Sequence, residues 1–549
     1  MKPFLPLAVL AVLAGCADPS TESQNAPASS LIQAEDLARH VETLSSDSYG
    51  GRAPSTEGGR QTVAYLIEQF QAAGLEPGNG DSFTQRVPLV ELTAERDMPL
   101  RISGAGEEMT FQYGRDFMGW TKRVQEAIDL ETSPLVFVGY GIVAPEADWN
   151  DYSGLDMTGK TAVILVNDPG FATQDSTLFT GNAMTYYGRW TYKYEEAARQ
   201  GAAGAIIIHE TAPAGYPWAV VSGSWSGPQF DLVAEDGNMS RVEVEGWVST
   251  PAAQQLFSAS GLDYEALKTR AAQPGFEPVP MPLNASVSIR NTIRRSESDN
   301  VLGRIEGTTR PDEVIIYTAH WDHLGTDDLV EGDGIYNGAV DNATGTAALI
   351  ELAEAFGNEA TAPERSILFL AVTAEEQGLL GSAYYARHPV VPTRNTVAAI
   401  NMDALGPYGR TKDVTVVGYG NSELDDYAVE AAAVQGRDIR PDPSPEKGFF
   451  YRSDHFSFAK VGIPALYLDS GVIPVEGPAD AIEQRIEEYG ANRYHKPADE
   501  YDPASWDFAG MVEDIELMYV VGKRLAGEDT FPEWRDGVSF KNTRDADGR

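Results

Sequence analysis

The sequence predicts an α/β protein: a mixed, centrally parallel sheet between helices, carrying an inserted β-rich domain. Three observations predict it. From Asn300 onward, continuous apolar runs of strand length alternate with amphipathic helices, the pattern of a sheet buried on both faces. Between residues 126 and 285, short β-branched runs instead follow one another among turn signals. At 549 residues, 42% hydrophobic and 10% aromatic, the chain can build several cores, roughly two to four domains by length.

In chain order, residues 1–16 read as an export signal. Met1-Lys2 is a positive start, and Phe4 to Ala14 is apolar but too short to span a bilayer. Leu13-Ala14-Gly15-Cys16 resembles a bacterial lipobox. That resemblance implies a lipidated Cys16 and an exported lipoprotein of the cell envelope, held to the membrane only by its lipid. Ala17, where aspartate would signal inner-membrane retention, favours the outer membrane. The alternative is an ordinary secretory peptide with an incidental cysteine. Residues 17–30 are a polar, flexible tether.

Residues 31–125 begin with two helices. Leu37, Val41 and Leu44 line one; Val63, Leu66, Ile67 and Phe70 line the other, which Gly74 can end. Gly51-Arg52-Ala53-Pro54 is a turn-rich link between them. The insert, 126–285, has strand-like runs at Leu135–Val138, Thr161–Val166 and Gly204–Ile208. In the last large segment, 286–527, strands are expected over 313–319, 366–372, 396–401, 414–417 and 465–468, with helices over 343–356 and 380–387. The polar tail, 528–549, is expected to pack loosely.

Composition excludes several chemistries. Lys+Arg is 41 against Asp+Glu 82, a formal charge of −41, so nucleic acid and anionic lipid are repelled. With one cysteine, in the export signal, there is no intramolecular disulfide, Cys-ligated zinc, iron–sulfur cluster or buried cysteine nucleophile. Any metal must be held by His, Asp and Glu.

Such residues stand at the strand ends. His320-Trp-Asp322 ends one strand, Asp341-Asn342 precedes a helix, Glu375-Glu376 ends the next strand and Asp403 the third. Ligands of open α/β sheets bind at that edge. Singly, each residue reads as a cap, a packed histidine or solvated surface. Together they are a mixed N/O set that a zinc-type cation would stabilise. Of 7 histidines, His320, His323, His455 and His495 fall in this region.

These segments resemble the co-catalytic-zinc exopeptidases of the bacterial aminopeptidase type, relatives of glutamate carboxypeptidases, glutaminyl cyclases and the transferrin receptor. The motifs are Ala319-His-Trp-Asp-His-Leu-Gly325, Tyr336 to Gly345 around Asp341-Asn342, Ala374-Glu-Glu-Gln377, Asn401-Met-Asp403, Arg452-Ser-Asp-His-Phe456 and Tyr494-His-Lys-Pro-Ala-Asp499. They keep family order over about residues 300–525. The insert, with Gly139-Tyr-Gly141 and Glu196 to Ala205, resembles a protease-associated domain. The resemblance implies the three-layer zinc-exopeptidase fold and two Zn2+ ions: His320 and Asp403 on one, Glu376 and His495 on the other, Asp341 bridging. Adjacent side chains in extended backbone point apart, so Glu375 can stay off the metal as general base. Asp322 is expected to accept the second imidazole N–H of His320. Tyr494 is expected to stabilise an oxyanion, or else to pack as an aromatic beside the site. His455 reads as pocket lining and His323 as support behind the ligands. The acidic stretch Asp327, Asp328, Glu331, Asp333 reads as a solvated loop rather than a calcium site.

The implied function is removal of N-terminal residues from peptides. A dipeptidase or carboxypeptidase would need a cation for the substrate carboxylate, with Arg452 the candidate. A glutaminyl cyclase would use one zinc, and a receptor-like binding protein would have lost ligands. The sequence sets neither oligomeric state nor preferred residue.

Overall fold

A computed structural model describes residues 32–549 except 105, 107, 328, 547 and 549; Cys16, the tether and Asp328 lie outside the described residues. Two helices open it, α1 (Ala34–Leu44) and α2 (Glu57–Ala72). Leu37, Val41 and Leu44, and then Leu66 and Phe70, recur at helical spacing and are buried. Thr56 caps α2 by accepting the Gly59 N–H at 3.2 Å.

The main sheet is built from β1 (Thr84–Ala94), β2 (Val279–Ile305), β3 (Arg310–His320), β4 (Arg365–Val372), β5 (Thr396–Asn401) and β6 (Ala465–Ser470). Its spatial order is β1-β2-β4-β3-β5-β6. β2 is antiparallel to its neighbours, and β4, β3, β5 and β6 run parallel. The registers His320↔Val372, Thr318↔Asn401 and Asn401↔Tyr467 bring the carboxyl ends of these strands to one edge. One face packs on α1, α2, α3 (Gly345–Gly357) and α4 (Ala509–Gly527); the other packs on Tyr385 and Phe458 from two short helices. β4 is buried at every residue, which is why it reads as an unbroken apolar run.

A second sheet lies in the middle of the chain. Ala127–Phe137, Thr161–Leu165, Gly204–His209 and Val244–Ser249 run parallel, with Phe117–Trp120 antiparallel at one side. The 27-residue strand β2 belongs to both sheets: residues 279–290 pair with Ala127–Phe137, and 291–301 pair with β1. The middle sheet thus takes strands from before residue 126, including Leu100–Gly104, and its far end lies inside a continuous strand. Pairing is set by long-range register, which local texture does not carry.

The tail differs from the loose packing expected. Trp534 is 1% exposed and donates its indole N–H to the Gly462 carbonyl at 2.9 Å. Phe540, on a helix Ser539–Ala546, is also buried. Two large aromatics bury enough apolar area to hold a segment that is otherwise polar. Among the described residues no helix is long and apolar enough to cross a membrane.

Candidate active site

The parallel strand ends deliver side chains to one place. His320, the last residue of β3, points Nε2 at Asp341 Oδ1 (3.3 Å) and Asp403 Oδ1 (3.2 Å). His495, from a loop 175 residues later in the chain by its numbering, points Nε2 at Asp341 Oδ2 (3.2 Å) and Glu376 Oε2 (3.0 Å). The two oxygens of Asp341 therefore face one histidine each. His320, Glu375 and Asp403 offer ligand atoms within 4.8 Å of one another, as do His323, Asp341 and Glu376.

An imidazole nitrogen carries at most one proton. It cannot donate to two carboxylates at once, yet His320 Nε2 and His495 Nε2 each meet two. Two ligands of one tetrahedral zinc, each 2.0–2.1 Å from it, lie about 3.3 Å apart. The four separations, 3.0–3.3 Å, match that spacing. The donor set fits zinc-type coordination better than it fits hydrogen bonds.

Backbone conformation aims these groups. Ala374, Ala404 and His495 have φ of 55°, 53° and 55°, left-handed values unusual for residues other than glycine. The first two stand directly beside Glu375 and Asp403. The Asp341–Asn342 peptide is cis. Asn342 accepts from Gly345 N (2.9 Å) and Ala404 N (3.0 Å) and donates to the Met402 carbonyl (3.1 Å), tying the Asp341 and Asp403 loops together. A Cβ on Gly345 would stand 2.3 Å from Asn342 Oδ1, so only glycine permits that approach. Ser453 donates to Asp403 Oδ2 at 2.5 Å.

The electrostatics reflect crowding. Burial pushes the Glu375 carboxyl well above the usual range; His320 opposes this, while Glu376 and Asp403 add to it. Burial would lower the His320 pKa, but Glu375, Asp403 and Asp341 raise it well above its ordinary value.

Residues 300–520 match the sequence model described as peptidase family M28. That stretch is thus similar to peptidase family M28. Aminopeptidase NAALADL1 of Mus musculus is 36% identical over 138 residues, 24% of this chain and 17% of that protein. A probable zinc metalloprotease of Pyricularia oryzae is 37% identical over 107 residues, 20% of this chain and 21% of that protein. The chain thus spans only about a fifth of these relatives' length. The solved aminopeptidase from Aneurinibacillus sp. strain AM-1 has the same fold over 91% of this chain and 96% of that one, with a TM-score of 0.51 and 19% identity.

Within this region one expectation is corrected. The Asp322 carboxylate was expected to accept the second N–H of His320, but Oδ1 lies 4.0 Å from Nδ1. The backbone carbonyl of Asp322 takes that place at 3.2 Å. The carboxylate instead accepts the Glu375 N–H at 3.1 Å. Tyr494 stacks on His495 with ring centroids 3.9 Å apart and is 46% exposed. His323 Nδ1 lies 2.5 Å from Glu376 Oε1. His455 is buried between Phe450 and Tyr467.

Sequence reasoning missed two supports. Arg52, 1% exposed, donates to the carbonyls of Leu44, Trp321, Asn337 and Gly338 at 2.5–2.9 Å. Nothing in its glycine-rich turn signals this. Asp499 accepts the N–H groups of Val340 (3.0 Å) and Asp341 (3.1 Å) and so fixes the Asp341 loop. Its place in the Tyr494–Asp499 motif was the available signal.

Proposed function

We propose that the protein is a zinc-dependent aminopeptidase that holds two zinc ions and removes N-terminal residues from peptides. The observation that carries this is the Asp341 carboxylate, whose two oxygens each face a different histidine. In this reading His320 and Asp403 hold one ion, His495 and Glu376 the other, and Asp341 is shared. Zinc so held would supply a Lewis acid and lower the pKa of a bound water toward about 7.

The chain's own groups do the rest. Glu375, raised by burial and fixed at its backbone by Asp322, takes the proton of the attacking water and passes it to the leaving amine. Partial burial and then the carboxylates Asp341 and Glu376 raise the Tyr494 pKa well above normal. Its phenol stays protonated and donates to the developing oxyanion. Arg52 and Asp499 hold the loops that carry these groups. The middle sheet we read as a protease-associated domain, and Cys16 as a lipid anchor holding the enzyme in the cell envelope.

The test is a panel of aminoacyl-p-nitroanilides beside N-acetylated peptides, with metal analysis of the purified protein. Cleavage of free N-termini only, abolished by chelation and restored by zinc, is the expected result. Cleavage of the blocked peptides would overturn the aminopeptidase reading, and one tightly held ion with full activity would overturn the two-ion site.

A further inference from the structure

Of the three carboxylates that face His320 and His495, two have their other oxygen tied by a donor. Asp403 turns Oδ1 to His320 Nε2 at 3.2 Å while Ser453 donates to Oδ2 at 2.5 Å. Glu376 turns Oε2 to His495 Nε2 at 3.0 Å, and His323 Nδ1 stands 2.5 Å from Oε1. Asp341 is the exception: among the described residues its two oxygens meet only His320 and His495. A carboxylate with both oxygens open can bridge two ions, whereas one with an oxygen occupied by a donor binds through the other.

His323 is placed to be either a donor or a ligand, since it lies with Asp341 and Glu376 in a group able to share an ion. The distance decides for a donor. At 2.5 Å the His323–Glu376 pair is closer than any of the four histidine–carboxylate separations, 3.0–3.3 Å, that suit two ligands of one zinc. It fits a short hydrogen bond to a charged acceptor. His323 Nε2 is buried without a partner; a proton there would go unanswered, so the ring's proton belongs on Nδ1, facing Glu376.

The fold locks the ring in that pose. His323 is fully buried, it meets His495 edge to face with centroids 5.8 Å apart, and a Cβ on Gly338 would stand 2.5 Å from His323 Cγ. Gly338, at φ 53°, is itself held by Arg52, which donates to its carbonyl at 2.9 Å. The His495 side chain, by contrast, is 38% exposed, so an ion on that side depends more on how firmly Glu376 is aimed.

We infer that His323 is a positioning residue for Glu376: its Nδ1–H occupies Oε1, so that Glu376 offers a metal ion Oε2 alone and the two-oxygen role is left to Asp341. This rests on the two-ion reading of the site and sets how one of its ligands binds.

The experiment titrates zinc into the metal-free parent, Glu376→Gln, His323→Leu, His323→Ala and His323→Asn against a chromophoric chelator. Asn and Leu share a branched shape, and Asn Nδ2 is as many bonds from Cβ as imidazole Nδ1, so these two variants differ in the donor. His323→Leu and His323→Ala should each raise about 10–100-fold the one dissociation constant that Glu376→Gln also raises, leaving the other unchanged. His323→Asn should regain most of that loss. Cobalt(II) in place of zinc reads the coordination itself. With Oε1 freed, Glu376 can chelate, so His323→Leu should show the weaker visible absorption of a five-coordinate ion, and His323→Asn the parent spectrum. Parent-like zinc binding in both His323→Leu and His323→Ala overturns the inference and leaves the two-ion site standing. So does a loss in His323→Asn as large as in His323→Leu, which would make the imidazole a ligand. A parent that binds a single ion overturns the two-ion reading, and the inference falls with it.

Discussion

The carboxylate of Asp322 accepts the backbone N–H of Glu375 at 3.1 Å. This bond ties the chain just past β3 to the chain just past β4, strands already in register at His320↔Val372. It fixes the first glutamate of the pair while the second is engaged elsewhere, Glu376 contacting His323 and His495. Two adjacent carboxylates thereby hold different partners.

That division predicts different losses. Glu375→Gln keeps the shape and removes the basic oxygen, so kcat should fall about 10²–10⁴-fold with KM nearly unchanged and zinc retained. Glu376→Gln should lose or weaken one ion, with partial recovery in excess zinc. Metal stoichiometry and kcat on both variants decide it. Zinc loss in Glu375→Gln with both ions kept in Glu376→Gln would mean the roles are exchanged.

Asp322→Ala removes the acceptor for the Glu375 N–H without touching either histidine nitrogen. Residues of this supporting kind typically contribute about 10–100-fold to activity or metal affinity. The expected signature is a drop in kcat with zinc still bound, because the bond acts on the Glu375 backbone. Equal loss of zinc from both sites would return Asp322 to a role on His320.

Much of the catalytic half was legible because buried parallel strands are continuous apolar runs, and a polar residue ending such a run marks the ligand edge. His320, Glu375 and Asp403 could be found that way. Arg52 could not: its value lies in four carbonyls, three of them from segments far along the chain, and no local pattern encodes a backbone acceptor. The dual membership of β2 was hidden for the same reason, since its sequence does not show where its partner changes. Trp534 and Phe540 were overlooked because two aromatics barely alter the average polarity of a tail.

Arg52→Met should be strongly destabilising. It leaves buried carbonyls of Leu44, Trp321, Asn337 and Gly338 without their donor, each unsatisfied group costing about 1–3 kcal/mol. A loss of at least about 3 kcal/mol is expected, together with weaker zinc retention, since two of these carbonyls belong to the Asp341 loop. Denaturant midpoints with and without zinc measure both, and a change under 1 kcal/mol would be incompatible with this account.

Cys16→Ser should leave peptidase activity intact while releasing the protein from membranes, because the lipid and the metal centre belong to separate segments. Detergent partitioning and activity of the two fractions test it. A processed Cys16→Ser protein that still partitions into detergent would refute the lipid anchor.

A buried pair between α1 and α3 sets a pH signature of stability. His40 on α1 and Glu351 on α3 are fully buried 3.6 Å apart, and His40 Nδ1 lies 2.6 Å from the Tyr65 hydroxyl. Burial, then Arg39, lowers His40 to about 4, whereas burial, then Glu354, raises Glu351 to about 8. Both groups are therefore neutral in the folded protein near pH 6. For His40 the unfolded chain binds the extra proton between about pH 6.5 and 4, so its contribution is lost as pH falls through that window. For Glu351 the folded chain holds the proton between about pH 4.5 and 8, so its contribution is lost as pH rises through that range. Glu351→Gln cannot titrate and removes only the second effect. Its stability relative to the parent should climb by about 2–4 kcal/mol between pH 4.5 and 8, while the decline below pH 6.5 persists. Urea midpoints of both proteins at pH 5, 6.5 and 8.5 would show this as curves that diverge upward with pH. Parallel curves would mean that Glu351 is already ionised in the folded state.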